Sequence, residues 1–310
     1  MNEQIKSGDT GTVKTGENLI VVVPTYAWRI PRVVSDWIGQ TEFVGAKNVW
    51  YVMSCGSGIG GADIYNRKLS EKKGIKQPVA IIAHGFNGTH SFGKNYFSRL
   101  NRLGYQCYAF DFPCGSVNSR SNSNTLGMSV IDEQQHLEAV VRYFQSQPDV
   151  DAGRIVLIGE SQGGLVSSLV AANSSMDIHR LILVFPALCI PDNWNERYKQ
   201  IAEIPDTTYL WGVGIGRRFF TELRYLKPMD IIGRYERPVL IIHGDADVVV
   251  PVEYSHAAVK AYRDARLIVL EGEGHGFKPQ GFERSLDEIE KFLLNEYKEN
   301  GQTSSLERGK

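Results

Sequence analysis

From residue 78 onward, short apolar runs alternate with longer stretches whose apolar positions recur at helical spacing. The runs at 79–83, 106–110, 155–158, 181–185, 239–242 and 266–270 have the length of buried strands. Between them, 96–103 reads as a helix stopped by Gly104, and 129–145 as a long amphipathic helix ended near Pro148. A closing helix is predicted over 283–297. Strands and helices in alternation predict an α/β fold, a mostly parallel sheet with helices on both faces. One stretch breaks the rhythm. Residues 186–237 separate two strands by far more than the usual short connection, and they are rich in large aromatic side chains. Such an insertion suits a cap over the C-terminal ends of the strands. Most of its rings are expected to pack on one another, with Trp194, Trp211 and Phe219 as candidates for a pocket wall.

The first 77 residues follow a different pattern. A strand at 19–23 runs into a loop opening at Pro24, a helix follows to about Ile38, and a second strand at 48–53 enters the Gly-rich loop after Ser54. A further helix is predicted at 63–73, giving a β-α-β-α unit joined to the rest by the charged segment 71–76. The expected division is therefore 1–77, then 78–298 with its cap, then a polar, disordered tail at 299–310.

Composition narrows the function classes. A hydrophobic fraction of 42% and a charged fraction of 22% are ordinary for a globular chain. The net charge of −1 gives no electrostatic reason to expect a nucleic-acid or membrane partner. No apolar run reaches transmembrane length, and the start lacks a basic stretch followed by an apolar core, so a cytoplasmic protein is expected. The four cysteines are scattered and read as reduced thiols; no spacing suggests a metal site.

The chemistry centres on Gly159-Glu160-Ser161-Gln162-Gly163, which follows a strand and opens a helix rich in small residues. A serine on a tight strand-to-helix turn needs neighbours without a Cβ so that the two elements can pack around it. Serine is a poor nucleophile until a base takes its proton, and the base must itself be oriented. Of the seven histidines, His275 lies in Gly274-His275-Gly276-Phe277, after the last strand and before the final helix. Flanking glycines let that loop project the imidazole toward the strand ends. The orienting acid is Asp245 or Asp247, both in the loop that begins at His243, and spacing does not separate them. Asp111 precedes the serine, so chain order argues against it as the acid. A developing oxyanion would be held by the backbone N–H of Gln162 and by that of Phe86, in the His84-Gly85-Phe86 turn.

With these motifs, together with Asp111-Phe112-Pro113-Cys114-Gly115-Ser116, residues 78–297 resemble the α/β-hydrolase superfamily, and within it the cinnamoyl and feruloyl esterases. The resemblance implies Asp247 as the acid, at the aspartate of the family's G-x-x-D-x-x-V-P pattern. It also implies an antiparallel hairpin ahead of the strand that enters His84, and from this the sequence departs. Residues 17–76 instead resemble the second half of a flavodoxin-like domain, on Val23-Pro24-Thr25-Tyr26-Ala27-Trp28-Arg29-Ile30-Pro31 and Met53-Ser54-Cys55-Gly56-Ser57-Gly58. The half that would hold the FMN phosphate is missing, so no cofactor is expected. The expected function is cleavage of a small to medium acyl or aryl (hydroxycinnamoyl-like) ester through an acyl-enzyme on Ser161, His275 and Asp247. A related peptidase and a flavodoxin-like electron carrier are the alternatives.

Overall fold

The computed structural model describes residues 11–14, 18–24, 36–38, 40–44, 48–54 and 76–295. In the N-terminal part, β1 (Thr12–Lys14) pairs in parallel with β3 (Glu42–Val44), and β2 (Asn18–Pro24) with β4 (Asn48–Ser54). The two strands predicted there are present, and short helical pieces place Trp37 and Ile38 in buried positions. Most of the loops after Pro24 and Ser54, the helix at 63–73 and the tail beyond 295 lie outside the described residues. So does most of what carries the flavodoxin resemblance.

The main sheet has six strands, all parallel, in the order β12-β11-β8-β7-β5-β6. They are β5 (Gln77–Ala83), β6 (Gln106–Ala109), β7 (Val150–Glu160), β8 (Arg180–Val184), β11 (Val239–Gly244) and β12 (Ala265–Leu270). Among the described residues no antiparallel hairpin precedes β5, in keeping with the departure noted in the sequence.

Alternation along these strands divides the core. Val79, Ile81, Ile155, Leu157, Leu181, Leu183, Val239 and Ile241 face one side. There they pack on α2 (Val130–Gln145), α3 (Gln162–Ala171) and α7 (Glu253–Ala261). Their neighbours Ala80, Ile82, Val156, Ile158, Ile182, Val184, Leu240 and Ile242 face the other side. That side is covered by α1 (His90–Arg102) and α8 (Pro279–Leu294). Strands covered on both faces must be apolar at every position, which is why they read as continuous runs. Helix α3 is buried at all of its positions and shows no polar face.

The topology selects one place on the sheet. From β5 the chain passes over α1 to β6 on one side, then returns to β7 on the other side of β5 and continues outward over α3 to β8. Connections leaving adjacent strands in opposite directions open a crevice at their C-terminal ends. The segment between β8 and β11 contributes α4 (Ile190–Arg197), the hairpin β9 (Thr207–Leu210)–β10 (Val213–Gly216), α5 (Arg217–Leu223) and α6 (Pro228–Ile232). The hairpin is pinned where Thr125 donates its hydroxyl to the Gly214 carbonyl at 2.7 Å.

Close approach of α1 to the sheet depends on Gly93, where a Cβ would sit 2.4 Å from the Ala109 Cβ. Gly93→Ala is expected to cost about 1–3 kcal/mol of unfolding free energy through overpacking, read as a lower urea midpoint. An unchanged midpoint would show that α1 can move off the sheet without loss.

Candidate active site

The turn at Ser161 is built by contacts that exclude side chains. A Cβ on Gly159 would meet the Gly163 carbonyl oxygen at 2.4 Å and the Ser167 Oγ at 2.5 Å. One on Gly163 would meet the Ala83 and His84 carbonyl oxygens at 2.3 and 2.5 Å. Helix α3 thus begins directly against the end of β5. Ser161 itself is held at φ 50° and ψ −119°, a conformation that costs about 1–3 kcal/mol and persists only where surrounding bonds impose it. Those bonds are present. The Ser161 N–H donates to Val184 O at 3.0 Å, and its carbonyl accepts from Gly164 and Ala187, both at 2.9 Å.

His275 and Asp247 meet this serine. The His275 Nε2 lies 3.0 Å from Ser161 Oγ, and its Nδ1 lies 2.8 Å from Asp247 Oδ2. With Nδ1–H donating to the carboxylate, Nε2 is left to accept the serine proton. Asp247 also accepts from the Val249 and Val250 amides at 2.8 and 2.9 Å and lies 3.2 Å from His243 Nε2. Burial opposes its charge, but the bonds from His243, His275 and the two amides outweigh it and hold the carboxyl well below the usual carboxylate range. His243 is fully buried between Ser255 Oγ at 2.6 Å and Val250 O at 3.0 Å, which fixes its ring toward the acid. Asp245 has a different partner: its carboxylate accepts the Gly272 N–H at 2.7 Å and tethers the loop that carries His275.

The Phe86 turn is held from the opposite side. His84 accepts the Phe112 N–H on Nε2 at 3.1 Å and donates from Nδ1 to Gly85 O at 2.8 Å. Burial lowers its pKa, and the arrangement needs the neutral ring. Asn87, at φ 55°, ties the turn to Ser116 and Val117. Among the described residues neither the Phe86 nor the Gln162 N–H meets an acceptor. Asp111 is occupied elsewhere, accepting from the His90 amide and ring at 2.6 and 2.7 Å and from the Arg120 amide at 2.8 Å.

A cavity of about 270 Å³ opens over Ser161, lined by Phe86, Gln162, residues of the β8–β11 segment and Val249 and Val250 from the loop after β11. Trp194, Trp211 and Phe219 all border it. Trp194 stacks on Tyr198 and meets Phe220 edge-on, while Trp211 is exposed at the hairpin tip with its ring edge-on to Phe86. Cys189 also borders the cavity, but burial pushes its thiol up to about 11, so it stays protonated and is a poor rival nucleophile. Among the described residues no cluster of side chains has the make-up of a metal site, and no helix is long and apolar enough to cross a membrane.

The sequence pattern of the alpha/beta hydrolase family matches residues 80–284. The chain belongs to the alpha/beta hydrolase family. Est1E from Butyrivibrio proteoclasticus, in a structure with ferulic acid bound, is 27% identical to this hydrolase with a TM-score of 0.65. The superposition covers 72% of this chain and 90% of that one. A Mycoplasma pneumoniae protein named "Putative esterase/lipase 2" is 33% identical over 127 residues, a match spanning 40% of this chain and 44% of that protein. The Escherichia coli K12 protein YfhR is 26% identical over 63% of this hydrolase and 61% of its own length. A Paleococcus ferrophilus monoacylglycerol lipase, at 18% identity and a TM-score of 0.55, covers 71% of this chain and 96% of its own and shares the fold.

Two buried carboxyls beneath the turn have no counterpart in the motif reading. Glu133 on α2 accepts from Gln162 Nε2 at 3.0 and 2.8 Å, and Glu160 accepts from the Tyr96 hydroxyl. Glu160 was visible only as a variable position of the pentapeptide, and Glu133 only as an acid in a helix's first turn. Burial raises both to about 8 from an ordinary value of 4.5. The folded state therefore keeps protons that the unfolded chain has lost above about pH 4.5. Stability is expected to fall as pH rises from about 5 to 8, by at most about 1.4 kcal/mol per pH unit per carboxyl. Glu133→Gln should remove one such slope in denaturation curves across that range. An identical slope in the variant would mean that Glu133 titrates normally.

Proposed function

We propose that this hydrolase is a serine esterase that cleaves small to medium acyl or aryl esters through an acyl-enzyme. The reading rests on one observation above others. Ser161, on a strained turn at the floor of a cavity, is within hydrogen-bond reach of a histidine whose other nitrogen faces a buried carboxylate. Ser161 Oγ attacks the acyl carbon while His275 Nε2 takes its proton. Asp247 holds the imidazole in the required tautomer and stabilises the imidazolium. The Phe86 and Gln162 amides receive the negative charge that develops on the carbonyl oxygen. His275 then returns the proton to the departing alcohol oxygen, and water repeats the sequence on the acyl-enzyme to release the acid.

The largely apolar cavity and the likeness to a ferulate-binding esterase favour a hydroxycinnamoyl-like or comparably sized acyl group. Among the described residues the cavity lining contains no carboxylate to receive a free peptide amine, which favours esters over aminoacyl peptides. The free thiols Cys107, Cys114 and Cys189 suit a reducing compartment, and we assign the activity to the cytoplasm. The hydrolase unit is taken as residues 78–298, with the β8–β11 segment as its cap.

Ser161→Ala is expected to abolish turnover of short aryl esters and labelling by a fluorophosphonate. Asp247→Asn should lower kcat by about a thousandfold or more, because the wrong imidazole tautomer is then favoured. Asp245→Asn should cost far less, acting through the His275 loop alone. Undiminished turnover by Ser161→Ala would sink the proposal, and a large loss confined to Asp245→Asn would reassign the acid.

A further inference from the structure

Helix α4 turns one stripe toward the cavity: Ile190, Asn193, Trp194 and Arg197 recur at the spacing of a single helical face and all border it. Along this stripe the wall passes from apolar to charged. Among the described residues bordering the cavity, Arg197 is the one cation, and no acid accompanies it. Among the described residues no carboxylate pairs with its guanidinium. Asp192, on the same helix, is engaged by the Tyr254 hydroxyl at 2.8 Å.

The guanidinium is nevertheless placed. It lies 5.4 Å from the centroid of the Trp194 ring and 5.5 Å from that of Tyr198, across two rings stacked within 9° of parallel. Stacking on aromatic faces leaves the N–H edge of a guanidinium free to donate in its own plane. Asn193, one turn earlier, spends one contact on Cys189 Sγ at 3.4 Å and retains a second amide hydrogen. Arg197 and Asn193 are exposed and so stand at the rim of the apolar cavity. There an oriented arginine with no counter-ion among the described residues is matched by a ligand that brings one.

We propose that Arg197, assisted by Asn193, selects esters that carry a carboxylate several bonds from the scissile carbonyl. This inference rests on the esterase reading and names the substrate class within it. The apolar span between Ser161 and Arg197 takes the connecting chain or ring, and the arginine takes the far anion. A planar fork facing a carboxylate forms two parallel charge-assisted bonds, which a lysine at the same place would reproduce only as a point charge.

Matched substrate pairs test this. One pair is p-nitrophenyl hexanoate against mono-p-nitrophenyl adipate; the other is hexyl acetate against the acetate ester of ω-hydroxyhexanoate. In at least one pair the wild-type enzyme is expected to favour the anionic member about tenfold in kcat/KM, with the preference shrinking as salt is added. Arg197→Met should erase that preference mainly through KM, and Arg197→Lys should restore part of it. A packing role alone would reduce both members of a pair equally and would show no salt dependence. Ser161-dependent turnover without an Arg197-dependent preference in either pair would overturn this inference and leave the esterase reading intact. Failure to hydrolyse any of the four esters in a Ser161-dependent way would overturn both. Should Arg197→Met fold poorly, Arg197→Gln read by the same ratio decides the matter.

Discussion

Everything at the site depends on how closely helix α3 begins against the end of strand β5. The first turn of the helix lies on the Ala83 and His84 carbonyls because residue 163 has no side chain. Phe86, in the turn just beyond β5, and Gln162, at the start of α3, border the same cavity as Ser161. A single added carbon at 163 would overlap those carbonyls. Separating the elements would leave Ser161 and His275 able to meet while parting the Phe86 and Gln162 amides proposed to receive the oxyanion. The geometry proposed for catalysis is therefore first a packing geometry between backbones, and the side chains are added to it.

The support beneath this contact is polar and buried, an arrangement that is stable only if each group is satisfied. Gln162 borders the cavity, and its side chain is anchored below by Glu133. Glu160 is anchored by Tyr96 on the opposite face of the sheet. The two residues flanking Ser161 are thus fastened to helices on opposite sides. On the acid side, His243 and two loop amides fix Asp247, while Asp245 fixes the loop that returns His275. Each member of the hydrogen-bonded chain is held by a partner with no part in the chemistry proposed for it.

What the sequence made legible follows from range. Gly159 and Gly163 announce the turn because the clash they avoid lies within a few residues and across one strand. The buried strands were legible because both faces are covered and the apolar runs are unbroken. Their boundaries were less so: β7 extends back to Val150, and α1 begins at His90 after Thr89, an N-cap residue type whose side chain makes no capping bond there. Asp247 and Asp245 have similar neighbours, and their different partners are set by a loop more than twenty residues away in the chain. Glu133 and His243 were equally opaque, since their significance arises only when α2 docks under Gln162 and when β11 buries an imidazole. Arg197 reads as one more surface cation of a short helix until the cap places it at the cavity wall.

The backbone at Ser161 also limits which chemistry evolution can try there. At φ 50° and ψ −119° a second substituent on the β-carbon has no comfortable rotamer beside the main chain. Threonine, which offers the same hydroxyl, is thereby disfavoured for reasons of conformation rather than reactivity. Cysteine, unbranched at Cβ, meets no such barrier. The turn acts as a filter on the side chains that can occupy it, open to an exchange of oxygen for sulfur and closed to the gain of a methyl group.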